Sequence, residues 1–125
     1  MITDDQARKI LERLLEKTRA NQVNWQVEEE STKEEITNFM VLFPESSISI
    51  SLESPVAEPD FIAISFGNKD DYIVKKMIIE EDDPDWPLAR ALYEEAGRYV
   101  LGWDHVLSDL EKAVNSGGMI GQPPL

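Results

Sequence analysis

The chain has 125 residues, no cysteine and a formal net charge of −13. That length suits one domain burying roughly two-thirds of its unfolded surface, and 42% apolar with 30% charged residues is the balance of a folded chain. Without cysteine there are no disulfides, thiolate nucleophiles or Cys zinc sites. No apolar run has membrane-spanning length, and Met1-Ile2-Thr3-Asp4-Asp5 lacks a secretory signal's basic start, so a cytoplasmic location is expected.

The charge is unevenly spread. Residues 1–20 hold five basic and four acidic side chains, whereas 21–60 hold nine acids against one lysine. Residues 61–85 hold seven acids against three lysines, and the last forty hold five against three. Such a chain lacks the basic footprint that binding a phosphate backbone requires, so direct nucleic-acid binding is not expected. It would meet a basic partner faster, although a solvated acidic surface is the commoner meaning of such a charge.

Thr3-Asp4-Asp5-Gln6 has the form of a helix capping box. Ala7, Ile10, Leu11, Leu14 and Leu15 then recur at helical spacing, predicting an amphipathic helix from about Asp4 to Ala20, with Asn21-Gln22 as its stop. Val23, Trp25 and Val27 alternate with polar residues as in a short strand. The acidic run 28–35 breaks the pattern and reads as a solvated turn or long hairpin loop. Ile36 to Phe43 predicts a more buried strand, ended by Pro44.

Ser47 to Glu53 alternates serine with Ile48, Ile50 and Leu52, which predicts a strand with one apolar face and one solvated face. Residues 54–60, with Pro55 and Pro59, form a loop. Phe61 to Phe66 is a further strand, and Gly67-Asn68-Lys69-Asp70-Asp71 has hairpin-turn composition, with glycine and asparagine suited to positive φ. Tyr72 to Ile79 returns as the last strand. No helical segment intervenes, so an antiparallel meander of four or five strands is expected.

From Asp85 to Val114 the apolar residues Leu88, Leu92, Ala96, Tyr99, Trp103, Leu107, Leu110 and Val114 keep one helical phase. This predicts one long, core-facing helix, with Gly102 as the place for a kink, in preference to two helices. Asn115-Ser116-Gly117-Gly118 stops it, and 116–125 is expected to be a flexible tail beyond a single domain spanning 1–115. The expected fold class is α+β: an N-terminal helix, an antiparallel meander and a long C-terminal helix, both helices on one face of the sheet.

No constellation specifies a reaction. His105, the single histidine, falls opposite the helix stripe, and no G-x-S-x-G elbow is present. Carboxylates are plentiful, but they sit in polar loops where the raised pKa of a catalytic acid is least expected. Trp25, Trp86 and Trp103 could line a saccharide site but more often belong to a core. Asp70 and Asp71, or Asp82, Asp83 and Asp85, lack EF-hand spacing, and Asp83-Pro84-Asp85 is explained by helix capping. Neither G-x-G-x-x-G nor a P-loop occurs. No catalytic residue, metal site or cofactor is therefore expected.

Phe43-Pro44-Glu45-Ser46-Ser47-Ile48-Ser49-Ile50-Ser51 and Leu88-Ala89-Arg90-Ala91-Leu92-Tyr93-Glu94-Glu95-Ala96-Gly97-Arg98, continued through Val106, Leu107 and Leu110, resemble small single-domain bacterial helix–sheet–helix proteins of unknown function. The resemblance covers roughly residues 4–115 and implies a fold and a bacterial setting, but no activity. The leading expectation is an acidic, non-enzymatic interaction module that binds or inhibits a larger, basic protein, in the manner of immunity or regulatory proteins. Its contact array would be Glu28, Glu29, Glu30, Glu34 and Glu35. The alternative is a small-molecule binder with a pocket between the long helix and the sheet, lined by Trp25, Tyr99 and Trp103. The open sheet face is compatible with a homodimer.

Overall fold

Thr3 accepts a hydrogen bond at Oγ1 from the Gln6 amide (3.1 Å), while its own amide donates to Gln6 Oε1 (3.0 Å). This closes the predicted capping box and starts α1, Asp4–Arg19. At the other end the Asn21 amide donates to Thr18 O and the Gln22 amide to Lys17 O, with Asn21 at φ 57°. That is a Schellman stop, with asparagine tolerating the left-handed backbone. The computed structural model describes residues 1–28 and 38–124.

Among the described residues five strands follow in order: β1 (Gln26–Val27), β2 (Asn38–Leu42), β3 (Ser46–Glu53), β4 (Phe61–Asn68) and β5 (Ile73–Glu80). They pair as neighbours in an antiparallel β1-β2-β3-β4-β5 sheet, as the uninterrupted strand pattern required. Each pairing brings like faces together. Phe39, Ile50, Ile64 and Met77 form one rung across the sheet, and Val41, Ile48 and Phe66 another. These side chains are buried and join Ala7, Leu11, Leu14 and Leu15 of α1 and Ala89, Leu92 and Ala96 of the following helix in one core. Phe39 and Tyr93 meet there with ring centroids 5.4 Å apart.

The turn after β4 differs from expectation in its chemistry. Gly67 lies within the strand, at a register irregularity, and the residue with positive φ is Asp71 (φ 65°). Asn68 stays in the strand and uses Oδ1 to accept from the amides of Asp70 (2.9 Å) and Tyr72 (3.1 Å). The side chain folds the turn, so the asparagine need not adopt positive φ itself.

The long helix expected from 85 to 114 is two helices. α2 spans Trp86–Leu101 and α3 spans Trp103–Val114. Gly102, at φ 65° and ψ 39°, caps α2 through its amide to Arg98 O (3.1 Å) and accepts from the Val106 amide (3.0 Å) to begin α3. A single left-handed residue redirects the chain, and only glycine adopts that conformation without steric cost. The consequence for the core is large. α2 packs beside α1 and against β2 to β5, whereas α3 contains no buried residue. The expectation that the whole stripe faces the sheet is thus corrected: its second half, from Trp103 onward, does not.

Polar links join separate segments of the chain. Arg8 of α1 donates from Nε and Nη2 to the two carboxylate oxygens of Asp85 (2.7 and 3.1 Å), holding the starts of α1 and α2 side by side. Near the end of α1 the buried Thr18 donates to Leu14 O (2.7 Å) and accepts from Trp25 Nε1 (3.0 Å). That bond lets an indole enter the core without an orphaned N–H.

Candidate interaction surface

α3 is built from residues that would ordinarily be covered. Val106, Leu107, Leu110 and Val114 are 54%, 56%, 55% and 63% exposed, and Trp103 is 39% exposed. Their spacing, with Trp103, Leu107, Leu110 and Val114 in steps of four, three and four and Val106 beside them, keeps them on one side of a helix about 18 Å long. Tyr99, at the end of α2, is similarly exposed, and its hydroxyl donates to Asn24 Oδ1 (3.1 Å). Contiguous exposed apolar strips of this kind mark docking surfaces more often than isolated exposed side chains do.

Trp103 seats the root of α3 against α2. A Cβ added at Gly97 would lie 2.8 Å from Trp103 Cζ2 and 3.4 Å from Phe39 Cζ. The bare glycine backbone is therefore the seat on which the Trp103 ring rests. Polar groups border the exposed strip: Arg98 Nε lies 3.4 Å from Asp104 Oδ1, and Asp109, Glu111 and Lys112 follow along the helix. With three acids to one lysine, this helix does not have the basic polar face that anionic lipid surfaces select.

No known protein family, curated protein or solved structure matches this chain.

The residues expected to line a pocket are separated by the structure. Trp25 is buried in the core and occupied by Thr18. Tyr99 borders a shallow depression of about 360 Å³ with Thr18, Asn21, Glu95, Arg98 and His105, whereas Trp103 lies over Gly97. His105 is exposed at that rim. Among the expected acidic contacts, Glu28 is half-buried at the end of β1, its amide donating to Asn38 O (3.1 Å). Glu29, Glu30, Glu34 and Glu35 lie outside the described residues.

The outer face of the sheet forms a second feature. Ser47, Ser49, Ser51, Ala63, Ser65 and Gly67 occupy the central strands there, and larger side chains such as Met40, Leu42 and Ile73 stand at its sides. The result is an open trough of about 750 Å³ with serines along its central strands, as the alternation from Ser47 to Ser51 implied.

Electrostatics across the described residues is structural in character. Asp4 is held below the ordinary carboxylate value by its hydrogen bond to Lys75, and Arg8 is held further above its usual value by Asp85. Burial raises the Tyr93 phenol, with Arg90 opposing. No three His, Asp or Glu side chains among the described residues converge as a metal site. No helix there is long and apolar enough to cross a membrane. Sequence periodicity had already picked out Trp103, Leu107, Leu110 and Val114 of the α3 strip, but assigned them to the core. The usable signal was Gly102, where a helix can turn away from the surface it has been covering.

Proposed function

We propose that this chain is an acidic protein-interaction module that binds, and by binding restrains, a larger basic protein, with α3 as its docking element. One observation carries the reading: a regular amphipathic helix has none of its residues buried, although its apolar side is as well developed as that of α2. Covering that side by a partner would remove about 25 cal/mol of unfavourable hydration per Å² of apolar surface. The mode is that of a helix laid into a groove, read through anchors at i, i+3, i+4 and i+7. The net charge of −13 supports a basic partner by steering its approach.

The test is affinity capture from extract of the source organism, run in parallel with the wild-type chain and a Leu107→Asp/Leu110→Asp variant. Both positions are exposed, so the variant is expected to fold. A protein retained by the wild type and lost by the variant, whose binding to purified wild type weakens as salt rises, supports the proposal. Equal retention by both, or affinity indifferent to salt, overturns it.

A further inference from the structure

The far edge of the sheet carries a separate feature, independent of α3. β5 is an edge strand of eight residues, paired through β4 on one side. Ile73, Val74 and Ile78 on it are 60%, 51% and 50% exposed. A long edge strand with exposed apolar side chains is a template for another strand, and sheets of this kind usually shorten, cover or charge their edges. Here the edge is charged in a particular order. Lys75 and Lys76 precede Met77-Ile78-Ile79, and Glu80 and Glu81 follow it.

That order is antisymmetric about Ile78. We propose that a second copy of this chain adds to β5 in antiparallel register about Ile78, joining two five-stranded sheets into one of ten strands. An antiparallel ladder alternates in its hydrogen bonding, and side chains alternate between faces, so registers of a strand against itself change in steps of two residues. Among those registers, centring on Ile78 sets Ile78 against Ile78 and Lys76 against Glu80 of the second copy, twice by symmetry. Lys76 and Glu80 are both exposed, and Lys76 and Ile78 lie on the outer, serine-lined face of the sheet. Centring on Met77 would instead oppose Lys76 to Ile78, and centring on Ile79 would oppose Ile78 to Glu80.

Opposite charges directly across a strand pair stabilise it, and like charges oppose it. The charge order therefore rejects an arbitrary strand while accepting this one. The symmetry is closed, since each copy offers the same surface and uses up the same edge. Lys75, on the other face, is engaged with Asp4 in its own chain and is not needed for the pairing. The negative charge of 21–60 lies on strands and loops at or before the start of β4, so it does not enter the new strand pair itself.

The experiment is light scattering coupled to size-exclusion chromatography on the full chain, with circular dichroism confirming that each variant is folded. The wild type is expected to shift from monomer to dimer as its concentration is raised towards about 1 mM. Lys76→Glu alone, or Glu80→Lys alone, places like charges opposite one another and should weaken dimerisation roughly tenfold or more. An equal mixture of those two variants should recover dimers, as should the double swap Lys76→Glu/Glu80→Lys. A monomeric wild type, dimers that persist in Lys76→Glu, or failure of the mixture and the double swap to recover would each overturn the proposal. Failure of the wild type to capture any partner through α3, with dimerisation intact, would sink the proposed function and leave this inference standing, so the two fail separately.

Discussion

Leu92 and Leu110 are equivalent in the sequence, each on the same helical stripe, yet the structure gives them opposite surroundings. Leu92 is 0% exposed in the core cluster, whereas Leu110 is 55% exposed on α3. Truncating Leu92→Ala removes buried methyl groups and leaves a space that the close-packed core refills only in part, costing about 2–5 kcal/mol. For Leu110→Ala no enclosed space is created. Fully burying a leucine is worth about 1.5–3 kcal/mol, and Leu110 is less than half buried, so its loss should cost under about 1 kcal/mol. Urea denaturation of both variants resolves the difference. With a slope of about 2 kcal/mol per molar urea, the midpoint should fall by roughly 1–2.5 M for Leu92→Ala and by less than about 0.5 M for Leu110→Ala. Equal shifts would refute the assignment of α3 to the surface and restore a continuous core-facing helix.

Gly102→Ala should destabilise the chain by about 1–2 kcal/mol, because alanine is strained at φ 65°; a glycine inside a continuous helix would instead give a gain of about 0.5–1 kcal/mol in the same melt. Thr18→Val should cost about 1–3 kcal/mol by leaving the Trp25 indole N–H unpaired in the core, and Thr18→Ser should recover most of it in urea melts. Asp4 binds protons less readily in the folded chain than its ordinary value of 3.8 implies, so just below that pH the unfolded chain holds more protons. Stability contributed by Asp4 is present above pH 3.8 and is lost as the pH falls through its folded value; Asp4→Asn should remove that part of the slope in acid titrations followed by circular dichroism.

Local signals were the legible ones. The capping box at Thr3, the stop at Asn21 and the alternation of Ser47 to Glu53 each specify a geometry within a few residues, and each is found where expected. Adjacent strands with no helix between them led directly to a meander. What periodicity cannot report is what covers an apolar face. Leu92 and Leu110 share a phase because each helix is amphipathic, and one left-handed glycine between them separates core from surface. Links between distant residues were equally unreadable: Arg8 and Asp85 stand 77 positions apart and meet only because α1 and α2 pack side by side. The same holds for Trp103, whose seat on Gly97 depends on the turn that intervenes.

Hydrogen exchange on the free chain and on its complex with a captured partner tests docking through α3 most directly. In the free chain the amides of Trp103–Val114 should exchange faster than those of α2, since none of these residues is buried. On complex formation they should slow sharply, with the Trp103 to Val114 segment showing the greatest protection gained. Protection confined to other segments, with α3 exchanging at its free rate in the complex, would contradict the account.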